Sequence, residues 1–183
     1  MIDFLDITEE DLETIKTWRT SQPVTRYQYT DPNISEQDQI KWFDSIKKDT
    51  TSIYKIIRYK NKQKIGLVSF TEIDELNRRC VWGFYIGDEA ARARGLGAVS
   101  TYFILNYVFE NLKMNKILAE VLAFNKEALK LNHKFGFHQE AHYRQHRFKY
   151  GEFHDSYGFA LLKSDWIKNK SYFEKIFSNG RKS

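Results

Sequence analysis

Six residues, Arg92-Ala93-Arg94-Gly95-Leu96-Gly97, constrain this chain more than any others. They join a strand-like run, Cys80 to Ile86, to a helix-like run, Ala98 to Leu112. In the second run Thr101, Ile104, Leu105, Val108 and Leu112 form one stripe, while Tyr102, Phe103, Tyr107 and Phe109 cover the other faces. Two glycines permit a tight turn with amides pointing inward, and a helix N-terminus begins directly behind it. Orphan N–H groups and the positive end of the helix dipole make that a seat for a phosphate or pyrophosphate. The bare pattern also occurs as a plain turn, so its neighbours decide its meaning.

Those neighbours read in a definite order. Met1 to Ile7 is strand-like, and Thr8 or Glu9 opens a helix with Leu12, Ile15 and Trp18 at helical spacing. Gln22 to Pro32 is a turn-rich loop holding both prolines. Ser35 with Asp38 reads as a capping box for a helix that packs Ile40, Phe43 and Ile46. Ser52 to Tyr59, Ile65 to Ile73 and Cys80 to Ile86 are strands joined by short polar turns, an antiparallel meander. After the Gly-rich turn come a strand (Lys116 to Leu122), a helix (Asn125 to Phe135) and two strands (Phe137 to Arg147, Glu152 to Leu162). The last two pair as a hairpin near Tyr150-Gly151, and a final amphipathic helix runs from Asp165 to Phe177.

A length of 183 residues suits one domain, expected over 1–178 with a polar basic tail at 179–183. Hydrophobic content of 42% with 16% aromatics places the chain among folded globular proteins. Of the net charge of +5, the stretch from Lys163 to Ser183 carries +4. A basic end on a near-neutral body argues against nucleic acid as a partner. There is no apolar run of membrane length and no signal-like N-terminus, so a cytoplasmic protein with no membrane partner is expected. The lone Cys80 reads as a buried structural thiol, and no metal is expected.

Two stretches carry a resemblance to the GCN5-related N-acetyltransferase (GNAT) superfamily. One is Arg92-x-x-Gly95-x-Gly97 behind Trp82-Gly83-Phe84-Tyr85-Ile86; the other is Asn125-x-x-Ala128-x-x-Leu131-x-x-x-Phe135-Gly136-Phe137. The resemblance implies an α/β (α+β) fold: a mixed, mostly antiparallel twisted sheet of about seven strands flanked by helices. It implies acetyl-CoA as co-substrate, with backbone amides of Arg92, Ala93, Arg94, Gly95, Leu96, Gly97 and Ala98 on its pyrophosphate. The pantetheine arm would pair as an added strand with the backbone of Phe84, Tyr85 and Ile86, one of whose N–H groups would receive the oxyanion. Asn125 and Lys130 would complete the coenzyme contacts, Lys130 reaching the 3′-phosphate from the basic face Lys126, Lys130 and Lys134. An acceptor amine must be neutral to attack, and Glu72, near the end of a central strand, is the candidate base.

The chain departs from the family at one position. Many members carry tyrosine where Asn132 stands, and asparagine donates a hydrogen bond to a leaving sulfur but transfers no proton. Either that hydrogen bond suffices for the leaving group, or His133 or a tyrosine elsewhere supplies the proton. Trp18-Arg19, Gln39 to Phe43, Trp82 to Asp88, Lys116 to Leu122 and the late Tyr143-Arg144 … Asp155 resemble pseudaminic-acid pathway enzymes. Those enzymes N-acetylate the 4-amino group of a UDP-linked 4-amino-4,6-dideoxy sugar. Arg19, Tyr27, Tyr29 and Trp82 would then wall the acceptor, aromatic rings for uracil or sugar and arginine for diphosphate. The same residues overlap the ribosomal-protein alanine N-acetyltransferase branch, so a peptide α-amine or a small polyamine is the alternative acceptor. A non-catalytic acyl-CoA-binding module is the remote one. A free sheet edge or the late hairpin offers a surface for a homodimer.

Overall fold

The computed structural model describes residues 1–30 and 33–178; the end of the expected loop at Pro32 and the expected tail at 179–183 lie outside them. By its internal contacts the chain forms two compact units. One comprises Met1–Ile73 and Trp82–Ser100, the other Asp74–Val81 and the chain from Thr101 onward. The seven strands, in spatial order β1-β2-β3-β4-β5-β7-β6, form the expected mixed sheet.

In the first unit, β1 (Ile2–Asp6) pairs antiparallel with β2 (Ile53–Tyr59), and β2 with β3 (Gln63–Asp74). β4 (Arg79–Ile86) follows after a short polar turn. Ile15, Ile56 and Leu67 are the centre of its core, with Leu5, Ile7, Trp18, Trp42, Tyr54 and Tyr85 packed around them. A single 3₁₀ turn (Glu9–Asp11) leads into α1 (Leu12–Thr20). The expected loop from Gln22 instead starts as a short helix, α2 (Gln22–Thr25). Pro23 sits in its first turn, where a fixed φ and a missing N–H suit a helix start, and buried Val24 anchors it.

α3 (Glu36–Lys48) opens on the expected capping box, Ser35 Oγ accepting from the Asp38 amide at 3.1 Å. Its inward face is set differently from expectation. Ile40 is 46% exposed, whereas Gln39 is 5% exposed and donates through Nε2 to the Leu12 carbonyl at 3.2 Å. One residue along a helix is about 100° of rotation, so seating Gln39 on α1 turns Ile40 outward.

Asp11 ties the helical layer to the sheet. Its buried carboxylate accepts from the Thr8 amide (2.9 Å), the Thr8 hydroxyl (3.0 Å) and Lys64 Nζ (2.6 Å). Burial alone would raise this carboxyl; the Lys64 ammonium and the two Thr8 donors outweigh it and hold the group below its ordinary 3.8. A depressed folded value means the contribution is complete above the ordinary value and disappears as pH falls through the folded one. Because Lys64 is partly solvated, Asp11→Asn should cost about 1–2 kcal/mol at pH 7. The loss should shrink as pH falls from 3.8 toward the lower folded value. Urea midpoints of the two proteins should lie closer together at pH 3 than at pH 7, and equal midpoints at pH 7 would show the ion pair contributes nothing.

In the second unit, β5 (Lys116–Leu122) pairs in parallel with β4, but only over Arg79–Val81 against Lys116–Leu118. It then pairs antiparallel with β7 (Glu152–Leu162) along its full length, and β7 pairs with β6 (His138–Lys149). The hairpin turns at Tyr150 (φ 55°) and Gly151 (φ 81°), a left-handed pair matched to the twist of the strands. α5 (Leu96–Asn106) starts two residues earlier than expected and widens into a π turn over Tyr107–Asn111. α6 (Lys126–Lys134) and α7 (Lys163–Ser178) complete the order. Trp166 and Phe173 of α7 stack with Phe109 and Phe135, the closest pair being Phe135–Phe173 at 4.4 Å. Cys80 is fully buried and its thiol is pushed up to about 12 by desolvation, so it is structural. No helix among the described residues is long and apolar enough to cross a membrane.

Candidate active site

The expected sites divide between the two units. Arg19, Tyr27, Tyr29, Glu72, Trp82 to Ile86 and Arg92 to Ala98 lie in the first; Asn125, Lys130, Asn132 and His133 lie in the second.

The connection from β4 to α5 is built in steps. The Gly87 and Asp88 amides both donate to the Ile65 carbonyl (2.8 and 3.0 Å), fixing the end of β4 on β3. Asp88 Oδ1 then accepts from the Ala91 amide at 2.7 Å and caps a five-residue helix, α4 (Glu89–Ala93). This helix corrects the expectation of a simple Gly-rich turn. Its hydrogen bonds occupy the amides of Arg92 (to Asp88, 3.0 Å), Arg94 (to Ala90, 3.2 Å) and Gly95 (to Arg92, 2.9 Å). Those three amides are therefore committed to the chain itself. The first turn of α5, Leu96 to Val99, follows directly at the positive end of its helix dipole.

Arg92 has a different task from the one expected. Its Nη1 donates to the carbonyls of Ile86 (2.9 Å) and Gly87 (3.0 Å), so the side chain clamps α4 to the end of β4. Gly95, at φ 70°, reverses the chain between α4 and α5. A Cβ built on Gly95 or Gly97 would meet no atom within 4 Å, which leaves an open floor at the head of α5. Such a floor suits the close approach of a diphosphate.

Along β4, Trp82, Phe84 and Ile86 alternate with Gly83 and Tyr85. Trp82 is buried and stacks on Phe84 at 5.3 Å, so its ring is a packing element and not an exposed acceptor wall. Tyr85, like Trp18, packs against the Ile15–Ile56–Leu67 core. Arg19 ties down the loop expected to carry the acceptor, donating to Thr25 Oγ1 (3.3 Å), the Thr30 carbonyl (3.1 Å) and Thr30 Oγ1 (2.8 Å). Tyr27 carries the Arg26 guanidinium 4.6 Å above its ring, and Tyr29 is exposed. Glu72 is exposed and takes a left-handed conformation, φ 50°, near the end of β3.

On α6, Asn125 is the N-cap: its side-chain oxygen accepts from the Ala128 amide at 3.2 Å. That oxygen is committed to the helix. Asn132 is buried, and its carboxamide makes no hydrogen bond among the described residues, while its backbone carbonyl accepts from the Phe135 and Phe137 amides. His133 is exposed and lies edge-on to Phe159 at 5.3 Å, and Lys130 pairs with Glu127 in solvent at 3.3 Å.

One polar network escaped the sequence reading. Glu120 on β5 receives a two-pronged grip from Arg147, Nε to Oε1 at 2.8 Å and Nη2 to Oε2 at 2.7 Å. Ser156 Oγ adds a third bond to Oε1 at 2.8 Å. Burial acts to raise this carboxyl, but Arg147 and Ser156 prevail and keep it low. The available signal was a lone acid in the apolar strand Lys116-Ile-Leu-Ala-Glu120-Val-Leu122. Among the described residues no three His, Cys, Asp or Glu side chains converge as a metal site would require.

Comparison with known proteins agrees with the fold. Residues 3–138 match the model of the family described as acetyltransferase (GNAT) domain. The chain is 27% identical to acetyltransferase PseH of Campylobacter jejuni over 88% of its own length and 92% of that protein. It is 24% identical to spermidine N(1)-acetyltransferase of Vibrio cholerae, over 86% of this chain and 90% of that one. A crystal structure of spermidine N-acetyltransferase from Vibrio cholerae, in complex with CoA and spermine, superposes with a TM-score of 0.85 at 22% identity. The match covers 91% of this chain and 98% of that one.

Proposed function

The chain belongs to the GNAT acetyltransferase family, and on that premise we propose that it moves the acetyl group of acetyl-CoA directly to the 4-amino group of a UDP-linked 4-amino-4,6-dideoxy sugar. The observation that carries the acetyl-transfer half is the open first turn of α5 set behind β4 by the Asp88–Arg92 clamp. In this reading Leu96 to Val99 hold the pyrophosphate. The parallel ladder between β4 and β5 covers only Arg79–Val81. Beyond it the backbone of Phe84 and Ile86 would pair with pantetheine, and a β4 N–H would receive the oxyanion. Asn132 would donate to the departing sulfur, and Lys130 would exchange Glu127 for the 3′-phosphate. Supporting the acceptor half is the likeness to PseH along nearly the whole of both chains. Arg19 then acts by holding the Thr25–Thr30 loop, with Tyr27 and Tyr29 facing the acceptor.

The second reading is a polyamine acceptor, favoured by the likeness to the Vibrio spermidine enzyme. A thiol-release assay with acetyl-CoA against the UDP-linked 4-amino sugar, spermidine and an α-amine peptide separates the readings. Turnover on the sugar alone is expected; turnover on spermidine or peptide without the sugar overturns that choice. In the same assay Asn132→Ala should lower kcat by about 10- to 100-fold, the worth of a hydrogen bond to a charged group. Acetyl-CoA affinity should hold within about twofold. An unchanged kcat would remove Asn132 from the reaction.

A further inference from the structure

Basic side chains along β2 and β3 of the first unit are paired with acids: Lys55 with Asp6, Arg58 with Asp3 and Lys64 with Asp11. At the turn of the same hairpin two cations share a ring instead. Lys60 Nζ lies 5.5 Å from the centre of the Tyr59 ring, and the guanidinium carbon of Arg94 lies 5.6 Å from it. Both side chains belong to exposed residues, and neither forms an ion pair among the described residues. All three residues lie in the first unit, as does the head of α5.

The fold builds this juxtaposition. Lys60 and Asn61, both left-handed (φ 51° and 57°), reverse the chain between β2 and β3, and the Lys60 amide donates to the Met1 carbonyl at 2.7 Å. Ile57 opposes Gly66 and Arg58 opposes Lys64, so Ile65 stands unopposed in β3. Its carbonyl is the one that accepts from the Gly87 and Asp88 amides, which docks the start of α4 on this end of the hairpin. Arg94 is the C-cap of α4. Its Nε donates to the Ala90 carbonyl at 3.2 Å and its Nη2 to Gln63 Oε1 at 3.1 Å. Two guanidinium nitrogens thus fix its plane, while Nη1 makes no hydrogen bond among the described residues.

A lone surface cation is commonplace; two held against one ring, one of them oriented, make a more specific arrangement. Contact with the ring face steadies both cations without neutralising them. A phosphate monoester suits such a pair: it carries a charge of about −1.5 to −2 near neutral pH and presents three acceptor oxygens. The guanidinium supplies directed donors and the ammonium a point charge. Position selects the phosphate. Arg94 stands two residues before Leu96, where α5 begins, and two residues span at most about 7 Å. That is the scale of the single ribose separating the 3′-phosphate of coenzyme A from its diphosphate. Lys130, by contrast, already spends its charge on Glu127.

We propose that Arg94 and Lys60 form a phosphate-monoester site that takes the 3′-phosphate of coenzyme A, with Tyr59 and Gln63 as positioning residues. This rests on the acetyl-transfer reading and transfers to Arg94 and Lys60 the role given above to Lys130. Arg94 Nη1 donates to the phosphate oxygens, and Lys60 adds the second positive charge. The consequence is selectivity: a coenzyme lacking the 3′-phosphate leaves both cations without an anion.

The test is calorimetric binding of acetyl-CoA and of acetyl-3′-dephospho-CoA. Wild-type protein should bind acetyl-CoA about 10- to 30-fold more tightly than the dephospho form at low salt. Added salt should narrow the difference. The Arg94→Gln, Lys60→Gln double variant should bind the two forms within about twofold of each other. It should keep wild-type affinity for the dephospho form, which reports an intact fold and an intact head of α5. If the double variant does not fold, each single variant carries the same comparison and should cut the preference at least about threefold. Equal wild-type affinity for the two forms overturns the proposal, as does a preference that survives these substitutions. Loss of the preference in Lys130→Gln would place the phosphate on α6 and also overturn it. Wild-type protein that binds neither form overturns the acetyl-transfer reading on which the site rests.

Discussion

Replacing Gly97 with tryptophan should abolish acetyl-CoA binding while leaving the protein folded. The first atom of a new side chain at this position meets nothing within 4 Å, so no packing is disturbed at the root. The indole that follows extends over the first turn of α5, where the pyrophosphate would approach the backbone amides. A diphosphate held by several charge-assisted hydrogen bonds, each contributing about 1.5–3 kcal/mol, cannot be retained once that approach is blocked. The expected result is at least about a 100-fold rise in Kd by calorimetry, with the melting temperature within about 2 °C of wild type. Undiminished binding would show that the coenzyme does not use the head of α5.

Gly66→Ala should have the opposite signature, a large loss of stability. A Cβ at Gly66 would stand 2.1 Å from the Tyr85 carbonyl oxygen and 3.0 Å from Ile86 Cα. Both are backbone atoms of β4 and cannot rotate aside, so β3 and β4 must separate. Overpacking of this kind costs about 3 kcal/mol or more, which in a chain of this size lowers the melting temperature by about 6–12 °C. The displaced segment includes Phe84 to Ile86, so acetyl-CoA affinity should fall with stability. Gly83→Ala is the control: its Cβ would meet only Ser69 Oγ at 3.7 Å, an ordinary contact. A Gly66→Ala protein as stable as Gly83→Ala would mean the two strands tolerate the methyl group.

Much of the fold was legible because it rests on local chemistry. Alternation and polar turns located β2, β3 and β4, Ser35 with Asp38 marked the start of α3, and Tyr150-Gly151 marked the hairpin. What was missed had causes beyond local pattern. α4 is only five residues long, and its capping by Asp88 was hidden behind the more conspicuous glycines. Ile40 looked like core by spacing, but a glutamine bonding to the Leu12 carbonyl took the inward position. At the candidate site the Phe84–Gly97 stretch was readable as one segment. The Glu120 network was not, because Arg147 and Ser156 reach Glu120 only through strand pairing and a bulge.

By itself, then, the sequence of the Arg92–Gly97 turn and the runs on either side determined a strand, a reversal and a helix head able to receive a diphosphate. Glycine and helix termini act over a few bonds, and that much is written locally. Tertiary structure alone decided which backbone donors of the turn are spent within the chain. α4 consumes the amides of Arg92, Arg94 and Gly95 and turns the Arg92 side chain onto the end of β4. It alone also joined Glu120, Arg147 and His146, since side chains 26 and 27 positions apart meet only once the register of three strands has been set.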